Sequence, residues 1–186
     1  PPPPDTVRRQ RLMCIRDSRS DYPTIKNLRI YLASIVAVLC SLNARALELD
    51  EKVPFFKSLD ERGKTWDSQK ISGKKLILIY FYPAAMTGGC TKQACAFRDD
   101  KSKWTNEDVE VIGVSGDRPE NLALFKNAEN LNFTLLSDPE GKIAKIFGVP
   151  TGKGGSIDRF VKGEKFTLNR GVTTKRWTFL ISKEGK

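Results

Sequence analysis

The chain has 186 residues, which is enough for one domain with a substantial core and too short for two. It carries 32 Lys and Arg against 22 Asp and Glu, a formal net charge of +10, and no histidine. The lack of histidine excludes Ser–His and Cys–His nucleophile pairs and histidine-containing zinc sites within this chain, and we expect no metal or other cofactor.

The distribution of the charge argues against a nucleic-acid-binding protein. Half of the positive excess lies in residues 1–46, which hold eight basic and three acidic residues. In the remainder, lysines are interspersed with Asp and Glu, as is typical of an ordinary solvated surface. We therefore expect no nucleic acid among the partners.

Two segments precede the predicted domain. Residues 1–25 open with four prolines and continue as an Arg-rich polar string, so we expect them to be non-native or disordered. Residues 26–46 have the form of a signal peptide, with basic residues, the apolar run 30–42, and small residues ending at Ala46. Because an acidic, strand-like segment follows these small residues, we predict cleavage near Ala46 and export to the periplasm or the medium. The apolar run is short for a bilayer, so we expect no stable membrane insertion. A buried core helix and organellar targeting are the alternatives.

Residues 47–186 alternate between strand and helix patterns, which predicts one α/β domain. The predicted elements, in chain order, are a hairpin at 55–66, a strand at 76–82, a helix at 91–104, a strand at 109–115, a helix at 119–128, a strand at 133–136, a helix at 143–147 and a strand at 177–181. Continuous apolar strands separated by helices imply a sheet that is covered on both faces.

The glycine-rich segment 151–156 superficially resembles a phosphate-binding loop. Only three residues separate Gly148 from Gly152, whereas that loop needs four at this point, and Lys153 is followed by glycine instead of Ser or Thr. We therefore expect a mobile surface loop here, followed by a charged hairpin or insertion at 157–173.

Cys90 and Cys95 are the two cysteines of the predicted domain. They follow the strand at 76–82, after a proline and a glycine pair that end it, and a helix begins close to Cys90. Unpaired amide groups and the helix dipole favour an anion at a helix N-terminus. A thiol in this place loses its proton more readily than a free one, which predicts thiolate chemistry.

The spacing of the cysteine pair limits how it can form a disulfide. On a regular helix, residues five apart have Cα atoms about 8.6 Å from each other. A disulfide requires Cα atoms within about 7 Å. Either the turn around Cys90 unwinds to let the sulfurs meet, or Cys90 and Cys95 do not form a static bond.

Pro83, Thr87 and Cys90 form the pattern PxxxTxxC, which resembles the signature of the peroxiredoxins. Cys95 stands where the bacterioferritin-comigratory or Q-type subgroup often carries its resolving cysteine. A second block that begins at Arg176 is similar to the strand with the active-site arginine of this family. Two separated motifs in the family's order make the resemblance far more specific than the cysteine pair alone.

The resemblance covers about residues 53–186 and implies a thioredoxin-like fold with a central mixed sheet, flanking helices and an N-terminal hairpin. Family members normally continue with another strand and a closing helix. We therefore expect the domain at 47–186 to be truncated at its C-terminus.

The resemblance also implies roles for the site residues. Cys90 would be the peroxidatic nucleophile, and its thiolate would attack the O–O bond to give a sulfenic acid. Arg176 would place a permanent positive charge near the sulfur. Thr87 would hydrogen-bond the peroxide, and Pro83 would shield the pocket without adding a backbone donor. Cys95 would attack the sulfenic acid to form a disulfide.

The implied activity is that of a thioredoxin-dependent peroxidase acting on hydrogen peroxide. The apolar residues 84–86 permit organic hydroperoxides as well. The expected partners are a peroxide and a thioredoxin-like reductant, and the expected state is a monomer or weak dimer. A protein disulfide oxidoreductase is one alternative, although such enzymes use a CxxC pair that is absent here. A non-enzymatic secreted domain with a structural disulfide is another.

Overall fold

The computed structural model describes residues 47–186. The predictions for residues 1–46, including the signal peptide, lie outside the described residues. Within residues 47–186, no helix has the length and apolar character needed to span a membrane.

Twelve strands and α-helices make up the described part of the chain, together with one short 3₁₀ helix at Ser68–Lys70. The strands are β1 (Lys57–Asp60), β2 (Thr65–Asp67), β3 (Leu76–Phe81), β4 (Val109–Ser115), β5 (Thr134–Ser137), β6 (Thr151–Val161), β7 (Glu164–Thr174) and β8 (Thr178–Ile181). The helices are α1 (Gly88–Asp99), α2 (Lys101–Asn106), α3 (Pro119–Ala128) and α4 (Lys142–Ile146). The α/β alternation predicted from the sequence is confirmed.

Six strands form one mixed sheet in the order β2-β1-β5-β4-β3-β8. Strand β4 pairs in parallel with both β3 and β5, while β8 and the hairpin β1–β2 join in antiparallel orientation. The predicted N-terminal hairpin is confirmed, and Asp60 shapes its turn by accepting hydrogen bonds from the amides of Arg62 and Lys64, both at 2.9 Å.

Strand β3 divides the core into two parts because its side chains alternate between the two faces of the sheet. Tyr80 and Tyr82 belong to the first core, which also contains Cys90 and Ala94 of α1. Ile79 and its neighbours on the other face belong to the second core, beneath α4. The segment that leaves β3 therefore emerges beside the face on which α1 packs.

The single helix predicted at 91–104 is wrong in its bounds. The structure has two helices, and the first begins at Gly88, three residues earlier than expected. Asp100 separates them, with φ −84° and ψ 12°, and its carboxylate contacts Lys103 Nζ at 2.6 Å. Asp is a poor residue for a helix interior because it bonds locally with backbone and side chains, so the break is physically reasonable.

The prediction of a mobile loop at 151–156 is also wrong, because these residues form the first half of β6. Strands β6 and β7 pair along their length as an antiparallel hairpin outside the six-stranded sheet, which confirms the charged hairpin predicted at 157–173. A Cβ at Gly154 would lie 2.3 Å from the carbonyl oxygens of Arg170 and Gly171. Glycine is needed here because the two backbones approach closely, and not because the segment is flexible.

Candidate active site

Hydrogen bonds from several parts of the fold hold the segment between β3 and α1 in place. The buried carboxylate of Asp117 accepts the amide of Ala85 at 2.8 Å. Thr174, at the end of β7, donates its hydroxyl to the carbonyl of Tyr82 at 2.9 Å. Within the segment, Thr87 donates its hydroxyl to the carbonyl of Ala84 at 3.0 Å. The backbone that leads to the helix is therefore anchored from the β7 strand and from the loop after β4.

Cys90 is the third residue of α1, and Thr87 is the N-cap residue of that helix. The sulfur lies at the first turn, where backbone amides have no partner within the helix and the dipole is positive. Cys90 is only 2% exposed. The expected position of this thiol close to a helix N-terminus is confirmed.

Arg176 lies just before β8 and brings its guanidinium to the sulfur. Its Nη2 donates to Cys90 Sγ at 3.2 Å. Its Nη1 donates to the carbonyl of Gly89 at 3.5 Å and to the side-chain oxygen of Gln93. The planar guanidinium is thus oriented by α1 itself, with one nitrogen aimed at the thiol.

Cys95 lies on the same unbroken helix as Cys90, and both are free thiols. Cys95 is half-buried, and its Sγ donates to Glu129 Oε2 at 3.7 Å. Burial raises the pKa of the Cys95 thiol, and the nearby negative charge of Glu129 raises it further. The structure therefore shows the intact-helix arrangement, in which the two sulfurs are not bonded.

Tyr80 lies in the same core as the thiol and is fully buried. Its hydroxyl has no hydrogen-bond partner within residues 47–186. Burial raises the pKa of Tyr80 strongly, and the negative charge of a Cys90 thiolate raises it further. Tyr80 therefore stays neutral.

The remaining predicted site residue, Pro83, is half-buried at the start of the same segment. No cluster of three or more metal-binding side chains exists among the described residues. The sequence reasoning missed three contributors to the site: Gln93, which orients the arginine, Asp117, which holds Ala85, and Arg159. Arg159 reaches in from β6 and donates from Nε to the carbonyl of Met86 at 2.7 Å.

Gln93 could have been found from the sequence, because residues three apart lie on one face of a helix and it follows Cys90 at that spacing. Asp117 and Arg159 carry no such local signal. Asp117 is 32 residues from its partner Ala85, and Arg159 is 73 residues from Met86. Only the tertiary fold brings them to the site.

Comparison with known proteins agrees with the fold. A family model described as the AhpC/TSA family matches residues 49–186. The putative peroxiredoxin bcp of Haemophilus influenzae is 46% identical over 140 residues, a match that covers 75% of this chain and 82% of the relative. The chloroplastic peroxiredoxin Q of Populus jackii is 47% identical over 104 residues, a match that covers 56% of this chain and 48% of the relative.

Among solved structures, the peroxidoxin BcpB of Mycobacterium tuberculosis aligns with a TM-score of 0.60 and 31% identity, over 73% of this chain and 79% of that one. This chain thus spans about half the length of the chloroplastic relative and about four fifths of the bacterial ones. The match to the family model and the likeness to the bacterial relatives show that this chain belongs to the AhpC/TSA family and, within it, to the peroxiredoxins, which are thiol-dependent peroxidases with a thioredoxin-like α/β fold.

Proposed function

We propose that Cys90 is the peroxidatic nucleophile of this peroxidase and that Cys95 is its resolving cysteine. One observation carries the proposal: Arg176 Nη2 lies 3.2 Å from Cys90 Sγ at the first turn of α1. A permanent cation and a helix N-terminus both attract negative charge, and the thiolate is the nucleophilic form of cysteine.

In the first step, the Cys90 thiolate attacks one oxygen of the peroxide and the O–O bond breaks. The sulfur becomes a sulfenic acid, and the second oxygen leaves as hydroxide or, from an organic hydroperoxide, as an alkoxide. This anion takes up a proton equivalent to the one that the Cys90 thiol released, and becomes water or an alcohol. Negative charge moves from sulfur to the leaving oxygen during this step. Arg176 and the free amides of the first turn face that charge and stabilise it.

Thr87 and Pro83 would shape the peroxide site. The Thr87 hydroxyl donates to the carbonyl of Ala84 at 3.0 Å, which leaves its oxygen lone pairs available to accept a hydrogen bond from the peroxide. Pro83 offers no backbone donor and limits the access of water. Of the apolar residues 84–86, only Met86 is partly exposed. Met86 is therefore the one side chain of this group that could contact the organic part of a hydroperoxide.

In the second step, Cys95 would attack the sulfenic acid, forming an intramolecular disulfide and releasing water. A thioredoxin-like dithiol protein would then reduce the disulfide by exchange.

A monomer or weak dimer is the proposed oligomeric state. Export after cleavage near Ala46 remains a prediction, with organellar targeting as its alternative because some relatives are named chloroplastic. Mass spectrometry of the mature N-terminus would decide between them.

The test is peroxide consumption by the purified chain with a thioredoxin and its reductase. We expect Cys90→Ser to abolish turnover and Cys95→Ser to form, in a single turnover, a sulfenic acid that a dimedone probe traps. Retention of activity in Cys90→Ser would overturn the assignment. Reduction of insulin disulfides without peroxide would instead support the oxidoreductase alternative.

A further inference from the structure

The resolving cysteine is in contact with a carboxylate from a separate part of the fold. Cys95 Sγ donates to Glu129 Oε2 at 3.7 Å, within the longer range of hydrogen bonds made by sulfur. Glu129 is the C-cap residue of α3, and the two residues are 34 positions apart. The contact therefore joins the middle of α1 to the end of α3.

Two further hydrogen bonds join the C-terminal half of α1, which carries Cys95, to the segment that follows α3. Arg98 Nη1 donates to the carbonyl of Glu129 at 2.5 Å. Asn132 Nδ2 donates to the carbonyl of Arg98 at 3.1 Å. Leu131, between these anchors, is 4% exposed and belongs to the core that also contains Cys90. Cys95 is thus held on a part of the helix that is itself anchored to the core.

The charges around Cys95 determine what this contact does to the thiol. Burial raises its pKa most strongly, Arg98 lowers it, and Glu129 and Asp99 raise it. Tyr80, on the sheet beneath the helix, is neutral and adds no charge of its own. A carboxylate that accepts a hydrogen bond from a thiol favours the protonated form, which does not attack a sulfenic acid. An ordinary carboxylate is also far too weak a base to take the proton from such a thiol.

We propose that Glu129 is a positioning residue that holds Cys95 as a hydrogen-bonded thiol on the intact helix and so limits the rate at which the resolving disulfide forms. This inference rests on the proposed roles of Cys90 and Cys95. For the disulfide to form, the Cys95–Glu129 contact breaks and the Cys95 sulfur becomes a thiolate. Its electron pair then forms the S–S bond as the S–O bond of the sulfenic acid breaks, and the oxygen leaves as water with the proton released by the thiol.

The contact has a consequence for the fate of the sulfenic acid. While Cys95 is held, the sulfenic acid on Cys90 persists and a second peroxide can oxidise it to the sulfinic acid, which does not return to the thiol in the normal cycle. Glu129 would therefore set how much peroxide the enzyme tolerates before it is inactivated.

The experiment compares Glu129→Gln with the unaltered chain and with Glu120→Gln. Glutamine retains an oxygen that accepts a hydrogen bond but removes the charge, and Glu120 is an exposed glutamate on the same helix. Reduced protein is mixed with one equivalent of hydrogen peroxide at a series of pH values, quenched with a thiol-alkylating reagent, and analysed by mass spectrometry. The measured quantities are the rate of loss of the Cys90 thiol, the rate of disulfide formation and the fraction of sulfinic acid.

For Glu129→Gln we expect disulfide formation at neutral pH to be at least about threefold faster, with the midpoint of its pH profile lower by about half a unit. The rate of loss of the Cys90 thiol should be unchanged, and less sulfinic acid should form at high peroxide. Glu120→Gln should match the unaltered chain in every measurement. An unchanged or slower rate of disulfide formation in Glu129→Gln, with the same pH midpoint, would overturn the inference while leaving the peroxidase assignment intact. If Cys90 did not react with peroxide in the unaltered chain or in either variant, the proposed function would be overturned instead.

Discussion

Arg176 meets Cys90 although 86 residues separate them along the chain. The reason lies in the pairing of β3 with β8. These strands are antiparallel, with Tyr80 opposite Thr178, so the end of β3 lies beside the beginning of β8. The residue just before β8 and the helix that follows β3 therefore meet at the same edge of the sheet. An arginine just before β8 and a cysteine in the first turn of the helix after β3 are therefore brought together by the strand pairing.

The geometry of the arginine leads to a prediction for Arg176→Lys. The guanidinium contacts Cys90 and Gln93 through two different nitrogens, and a single ammonium cannot reproduce that fork. We expect the second-order rate constant with hydrogen peroxide to fall by about tenfold or more, as loss of an aligned donor commonly does. Stopped-flow measurement of the first turnover would check it. Lys175→Arg, an exchange of the same type at the exposed neighbouring position, should leave the rate unchanged, and equal rates for Arg176→Lys and the unaltered chain would contradict the prediction.

Sequence patterns identify those candidate site residues that belong to short motifs, among them Cys90 and Arg176. They did not locate Asp117 or Arg159, because each acts on a distant backbone group through one hydrogen bond. A buried Asp and an arginine in a charged hairpin look the same in the sequence as residues with purely structural roles. The proposed reactive groups are therefore predictable from the sequence, whereas the residues that hold the neighbouring backbone in place are not.

At the scale of elements, α1 carries both cysteines and cannot join them without changing shape. It is continuous from Gly88 to Asp99, and residues five apart on a regular helix are about 8.6 Å apart at Cα, beyond the reach of a disulfide. Cys90 and Ala94 are both buried, so unwinding the first turns also removes these side chains from the core. The catalytic cycle would alternate between a packed helix and a partly unfolded one.

This requirement predicts a loss of hydrogen-exchange protection on oxidation. Amides in about the first two turns of α1 should exchange faster in the disulfide form than in the reduced form, because their helical hydrogen bonds are broken. Exchange measured by mass spectrometry on the reduced and peroxide-treated chain would show the change. Cys95→Ser treated in the same way provides the control, since it forms no intramolecular bond between these residues and should remain protected. Equal protection of both forms would show that the helix does not unwind.

The β6–β7 hairpin contributes more to the site than its position outside the main sheet suggests. Leu168 inserts into the core that contains Cys90 and is fully buried. Asn121 of α3 donates to the carbonyl of Asn169 at 2.8 Å, and Arg159 holds the carbonyl of Met86. Met86 adopts φ 58°, a left-handed conformation that requires support from its surroundings. The hairpin supplies that support.

We therefore predict that Arg159→Ala impairs the reaction at Cys90. Loss of the hydrogen bond frees the backbone at Met86, and a small displacement of the segment before α1 is costly in an oriented site. The rate constant for the first step with peroxide should fall about tenfold, as measured by stopped-flow fluorescence. Lys153→Ala is the matched control, because Lys153 is an exposed cation on the same strand. A normal rate in Arg159→Ala would show that Met86 keeps its conformation without the hairpin.

At the scale of the whole molecule, the strand and helix types were predictable from apolar runs, whereas the order of strands in the sheet was not. The hairpin β1–β2 forms locally, but its attachment to β5 pairs Leu59 with Ser137, far away in sequence. The pairing of strands that are distant in sequence depends on how the strands and helices pack together in the complete domain. The glycine-rich start of β6 shows the same limit, since Gly154 reflects the close approach of the β7 backbone and not a local preference.

The sheet separates the core beneath the thiol from the core on the opposite face, and two adjacent residues of β5 allow this separation to be tested. Leu135 and Leu136 are both fully buried, but they belong to different cores. Leu135 packs near Tyr80, since a Cβ at Gly113 would lie 2.8 Å from both side chains. Leu136 lies on the face away from Cys90.

We predict that Leu135→Ala and Leu136→Ala each lower the free energy of unfolding by about 2–5 kcal/mol, because both leave a cavity in a packed core. Their effects on the reaction at Cys90 should differ. Leu135→Ala loosens the side chains beneath α1 and should slow the first step with peroxide several-fold, whereas Leu136→Ala should leave that step unchanged. Denaturant unfolding and stopped-flow kinetics, both at a temperature where each variant is folded, measure the two effects. If both variants slowed the reaction equally, the site would depend on the stability of the entire domain and not on the core beneath the thiol.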